Sequence, residues 1–210
     1  MKIVLLVEGW TEKELPPFLK RWLDPQLPQP IRIQPVRFEG NAHYLDNVAN
    51  KTRFHLSNDD TIAVFGLLDL YGLKLDYSKH ADRDQKIAHA RAEIVKRIPE
   101  ADRSRFRQHF AVHETEAWLL SDPRLFPALK LSANSARPED VNFDEPPSKL
   151  LDRLFSQSRD GRGYKKTTMA RTLLPKLDPV LVYQKCPNFK LMMDEMLMLV
   201  KKALGNQSSS

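Results

Sequence analysis

Two aliphatic runs and one further candidate strand in this sequence lead into carboxylates. IVLLV (Ile3–Val7) ends on Glu8, TIAVFGLL (Thr61–Leu68) ends on Asp69, and the candidate strand from Phe106 to Val112 is followed by Glu114 and Glu116. In an open sheet of parallel strands the connections diverge at the carboxyl ends, leaving a crevice where ligands gather. Three acids carried to such an edge repel one another and resist ionising together unless a positive charge joins them. Oxygen-only donors suit a hard divalent ion, so the pattern predicts a Mg2+ or Mn2+ site built from Glu8, Asp69 and Glu116. Each acid also has a structural use open to it. Glu8 can accept N–H groups at the start of the next helix, and Asp69 can cap a turn with Gly72 behind it. Glu114 and Glu116 suit the positive end of a helix that opens before AWLL.

Strands and helices must alternate to bring these acids together. Unbroken aliphatic runs at Ile3–Val7 and Thr61–Leu68 predict strands covered on both faces. IRIQPVRF (Ile31–Phe38) alternates and contains Pro35, which predicts an edge strand, and Phe106–Val112 predicts a fourth. Helical patterns cover 11–23, 41–56, 82–98, 149–155, 167–174 and 189–203. Thr11 with Glu14 has capping-box spacing for the first of these, although Pro16 and Pro17 then sit awkwardly inside it. The expected fold class is α/β, a mainly parallel sheet flanked by helices with a helical C-terminal extension. Residues 1–122 form the expected core, 123–204 a basic helical extension packed on it, and 205–210 an unstructured tail.

The chain has 210 residues, enough for a core of its own, and a net charge of +6. From Lys149 to Lys176 there are eight basic residues against two acids, which accounts for the whole excess. Charge concentrated in this way points to an anionic partner, with a solvated helical face as the structural alternative. Within the segment, Lys166 and Lys165 sit where a glycine-bearing loop (GRGYKK) meets a helix start, a placement suited to contacting a phosphate. Arg159 and Arg162 suit nonspecific backbone contacts. One cysteine, Cys186, allows no internal disulfide and reads as packing. With no leader ahead of the first strand, a cytoplasmic setting is expected. No apolar stretch approaches the roughly 20 residues of a membrane span. The histidines lack zinc-ligand spacing, and no nucleophile elbow or P-loop is present. Met192, Met193, Met196 and Met198 read as a core stripe, with a docking surface for a partner as the alternative.

VEGWTE (Val7–Glu12) resembles the first motif of the Toprim fold, and LLDLYGL (Leu67–Leu73) resembles the second. HETEAWLLSD, PPSKLL, YKK and CPNF then follow in an order similar to that of an uncharacterised bacterial Toprim-like family. That family is related to the Toprim domain of overcoming-lysogenization-defect nucleases and is often encoded beside an ATPase. The resemblance spans Val7 to about Phe189. It implies a metal-dependent phosphodiester-cleaving centre with Glu8, Asp69 and Glu116 as ligands and Glu12 as the second acid of the first motif. It supports the pair Lys165 and Lys166, with Lys166 at the scissile phosphate, and adds Lys149 as a further phosphate contact. His113, beside these acids, reads as a hydrogen-bonded structural histidine or a helper to them. One departure stands out: where the family motif is Asp-x-Asp, this chain has Asp69, Leu70, Tyr71, and a phenol ionises only near about pH 10. The implied function is a divalent-metal-dependent nuclease acting on DNA, the effector of an ATPase-associated antiviral defence system. The alternative is a noncatalytic Toprim-like subunit that binds nucleic acid or the ATPase.

Overall fold

The computed structural model describes residues 1–9, 14–70, 73, 75–76, 82–111, 116–126, 138–140, 147–156 and 172–207. Four strands, β1 (Lys2–Val7), β2 (Arg32–Arg37), β3 (Thr61–Asp69) and β4 (Phe106–Ala111), form one sheet in the order β2-β1-β3-β4. All three pairings are parallel. The aliphatic runs occupy the two central strands because only there is a strand covered on both faces. Ile3 through Val7 are fully buried, and β3 is buried along most of its length. β2 takes the edge, where Pro35 can sit without breaking a second ladder.

Helices cover both faces. The pleat divides β1 and β3 between two apolar clusters. Ile3, Leu5, Val7, Ala63, Phe65 and Leu67 face one layer. That layer holds α1 (Leu15–Leu23), α5 (Glu116–Leu120), α6 (Pro147–Ser156), α7 (Pro179–Lys185) and α8 (Pro187–Gln207). Val4, Leu6, Val64 and Leu68 face the other, formed by α2 (Gly40–Leu56) and α3 (Arg83–Arg97). A four-residue helix α4 (Glu100–Arg103) precedes β4. The β1-to-β2 connection therefore passes over one face, and the connections into β3 and β4 pass over the other. This is the outcome of right-handed crossovers that move in opposite directions across the sheet.

The first helix begins later than expected. It opens at Leu15 with Glu14 at its N-cap, so Pro16 and Pro17 fall in the first turn, where a missing N–H costs no intrahelical bond. Thr11 lies outside the described residues, as does most of the helix expected at 167–174. The C-terminal helix starts at Pro187, two residues before the expected start, and continues through Gln207. Helix α7 ahead of it was not anticipated, because its seven residues are too few for a periodic pattern. The methionine stripe is core at Met192, Met193 and Met196. Met198, however, is 53% exposed, because two residues past Met196 the helix has turned it to the far side. Cys186 is buried, as expected. Among the described residues no helix is long and apolar enough to cross a membrane.

Candidate functional site

The register of the central strands fixes where the acids stand. Val7 of β1 lies opposite Leu67 of β3, and Asp69 lies opposite Ala111, the last residue of β4. Glu8 therefore leaves β1 at nearly the level where Asp69 ends β3. The ladder runs one step further, with the Leu70 N–H donating to the Ala111 carbonyl at 3.1 Å. Five residues beyond Ala111 the chain re-enters the described structure at Glu116, the first residue of α5, which is buried to 1% exposure. Helix α5 is held by its own apolar residues. Trp118 packs edge-on against Phe189 of α8 at 4.9 Å and stacks on Phe18 of α1 at 6.2 Å. The strand order reverses between β1 and β3, so Glu8 and Asp69 flank the topological switch point, the place where open parallel sheets bind ligands.

The two acids address different faces of the sheet. Asp69 shares its register position with Ala111, which belongs to the cluster under α1, α5 and α8, so the pleat directs both toward that layer. Glu116 is in the same layer. Glu8 lies one residue past the end of β1 and lines a cavity of about 520 Å³ on the α2 side, with Glu39, Gly40, Asn41, Asp46 and Arg97. This cavity exists because α2 starts abruptly. The Phe38 N–H bonds the Val7 carbonyl at 2.7 Å, and Gly40, at φ 87°, turns the chain straight into the helix. The Arg97 guanidinium reaches over from α3 to the Leu45 carbonyl at 3.3 Å and closes one wall.

By type, the donor set fits a hard divalent ion, since Glu8, Asp69 and Glu116 offer carboxylate oxygens only. By position, the described residues contain no group of three or more His, Cys, Asp or Glu side chains arranged to hold an ion. Glu12, Glu114, His113 and Tyr71 lie outside the described residues. So do four of the five expected nucleic-acid contacts, Arg159, Arg162, Lys165 and Lys166. The fifth, Lys149, is the third residue of α6 and is exposed. Helix α6 packs against α5, so Lys149 projects from an element braced against the one that carries Glu116.

Sequence reasoning passed over two features near this edge. The residues lining the Glu8 cavity were missed, although FEG (Phe38–Gly40), an acid and a glycine after the second strand, was a signal for an abrupt turn there. Glu139 was also missed. It lies in the Pro138–Asp140 turn, 1% exposed, where burial pushes its carboxyl above the usual range against the opposing hydrogen bonds from Asn188. Nothing in a Pro- and acid-rich connection indicates that one of its acids is buried.

The sequence matches none of the curated proteins. Among solved structures it is similar to two of the C-terminal region of the Xanthomonas campestris pv. campestris OLD protein, one phased with mercury and one with iodine. In the first, identity is 17%, the match covers 98% of this chain and 97% of that one, and the TM-score is 0.41. In the second, identity is 16%, coverage is 99% and 98%, and the TM-score is again 0.41. Residues 7–197 match the family model described as Domain of unknown function (DUF4276), from the end of β1 to the middle of α8, and the chain belongs to that family.

Proposed function

We propose that this protein is a divalent-metal-dependent nuclease that hydrolyses phosphodiesters in DNA, built on a Toprim-like sheet. The observation that carries this reading is the placement of Glu8 and Asp69 on either side of the switch point, with buried Glu116 opening the helix beyond β4. Glu8, Asp69 and Glu116, joined by Glu12 of the same motif, are the residues that would hold Mg2+ or Mn2+. The ion, when bound, supplies Lewis-acid activation of water and neutralises phosphate charge. The chain's own part is to keep these acids at a rigid edge: β1 and β3 are buried on both faces, and α5 is locked by the Trp118 contacts. Cations must approach the phosphate from the other side. Lys149 stands exposed on α6 for this purpose, and the reading assigns Lys166 to the scissile phosphate, with Lys165, Arg159 and Arg162 along the backbone. A setting inside the cell, beside a partner ATPase in antiviral defence, belongs to the same proposal and rests on the Toprim-like resemblance.

A second reading is favoured by one specific observation, Tyr71 in place of the second acid of the Asp-x-Asp motif. In that reading the chain is a noncatalytic subunit that engages nucleic acid or an ATPase. Incubating the purified protein with supercoiled plasmid and Mn2+ or Mg2+ separates the two. Nicking that is abolished in Glu8→Gln and Asp69→Asn, with melting temperatures unchanged, supports the nuclease. Undiminished nicking in both variants rejects this site. Calorimetric titration with Mn2+ adds an activity-independent arm, since a degenerate site shows no binding that depends on these carboxylates.

A further inference from the structure

One short turn between α5 and α6 is tied to both helical layers through Glu139. Glu139, in the Pro138–Asp140 turn, uses one carboxylate oxygen on α8. Oε2 accepts from the Asn188 backbone N–H at 3.1 Å and from the Asn188 side-chain amide at 2.9 Å. Asn188 is the second residue of α8, so an acid far upstream caps a 21-residue helix at its positive end. The Glu139 backbone carbonyl accepts from the Arg83 guanidinium at 3.0 Å, and Arg83 is the first residue of α3 in the opposite layer. The same turn packs on α5, which carries Glu116. Seven residues after Asp140 the chain enters α6, which carries Lys149.

This carboxylate is costly for what it does as a cap. It is 1% exposed, and its second oxygen, Oε1, is buried with no hydrogen-bond partner among the described residues. A buried ionisable group carries a desolvation cost, and a serine or asparagine caps a helix without that burden. What a short cap cannot do is hold a turn that also touches α3 and α5. Cys186, fully buried immediately before α8, lies within the electrostatic reach of Glu139 and is sealed at the same corner.

We propose that Glu139 is a positioning residue for the carboxyl edge of the sheet: by clasping the start of α8 to the turn that backs α5, it fixes Glu116 and Lys149 relative to β1 and β3. The clasp rests on the nuclease reading for its consequence in catalysis, but not for its existence.

The test compares Glu139→Ala with Glu139→Gln in the full chain. Two measurements are made: plasmid nicking in Mn2+, and the reactivity of Cys186, the one cysteine, toward a chromogenic aromatic disulfide. In Glu139→Ala the start of α8 loosens. Cys186 then reacts about tenfold faster or more while far-ultraviolet dichroism stays native, and kcat falls about tenfold or more with KM for DNA within about twofold. Glu139→Gln retains an acceptor for Asn188 and restores both thiol protection and most of kcat. A thiol that stays protected in Glu139→Ala overturns the clasp. An exposed thiol with unchanged kcat overturns its positioning role. If the wild-type protein does not nick, Mn2+ affinity replaces kcat, and unchanged affinity in Glu139→Ala overturns the role. If the wild type binds no Mn2+ either, the nuclease reading fails by itself and takes the positioning role with it, while thiol reactivity still decides whether the clasp exists.

Discussion

Gly66, three residues before Asp69, is where β3 can be tested most sharply. It lies opposite Leu6 of β1 and Gln108 of β4, on the face covered by α2. The Tyr44 side chain descends onto it from α2, and its hydroxyl donates to Gln108 Oε1 at 2.6 Å in a fully buried contact. Gln108 in turn donates from Nε2 to the His109 carbonyl at 2.9 Å, so its orientation is fixed. A methyl group at position 66 would overlap both the Tyr44 hydroxyl and Gln108 Oε1, and would stand 3.0 Å from Gln108 Cδ. Gly66→Ala therefore adds volume and breaks the hydrogen bond at once. Overpacking costs about 1–3 kcal/mol. Leaving buried polar groups unpaired costs about 1–3 kcal/mol more. The expected loss is about 4 kcal/mol, a large part of the roughly 5–15 kcal/mol that holds an ordinary domain together. For a chain of this length that lowers the melting temperature by about 8–16 °C. Urea unfolding of Gly66→Ala, Tyr44→Phe and the double variant measures it. Because both single changes remove the same hydrogen bond, the double variant should be less destabilised than the sum by about 1 kcal/mol or more. A loss below about 1 kcal/mol for Gly66→Ala, or a strictly additive cycle, would refute the argument.

Other consequences can be measured directly. Glu8→Gln and Asp69→Asn should each abolish metal-dependent plasmid nicking while leaving the melting temperature unchanged, which circular dichroism confirms on the same samples. His109 is buried between the stacked Phe65 ring, at 5.7 Å, and Glu195 of α8, at 2.9 Å, with Arg91 and Arg107 nearby. Burial lowers its pKa below the ordinary 6.5 despite Glu195, so the unfolded chain takes up this proton first. The associated stability is complete above pH 6.5 and is lost as pH falls from there through the folded value. The urea midpoint should thus fall between about pH 7.5 and about pH 5, and fall less in His109→Asn. Glu195 is distinguishable: burial opposes its ionisation, yet the hydrogen bond with His109 and the charges of His109 and Arg107 hold its pKa below 4.5, so its contribution is lost in a more acidic window. Asp82 caps α3 by accepting from the Gln85 N–H at 2.8 Å, and Asp82→Ala should cost about 1 kcal/mol in urea unfolding.

The order of elements was legible in the sequence because it is set by local periodicity. Unbroken aliphatic runs can only be strands covered on both faces, and Pro35 can only sit at an edge, so β1, β3 and β2 take the central and edge places their composition requires. The acids that follow those strands were legible for the same reason, since a parallel sheet carries every strand's carboxyl end to one edge. What the sequence left undecided depends on which face, which layer and which partner, and these come from contacts between residues far apart in the chain. The strand order places Glu8 and Asp69 on either side of the switch point, while the pleat and the Gly40 turn open them toward different layers. The later start of α1 follows from two prolines that only a first turn accommodates. Met198 separates from its neighbours because helical rotation decides exposure one residue at a time. The burial of Glu139 is decided wholly by the tertiary fold: its neighbours in sequence are those of an exposed connection, and only the arrival of Asn188 and Arg83 encloses it.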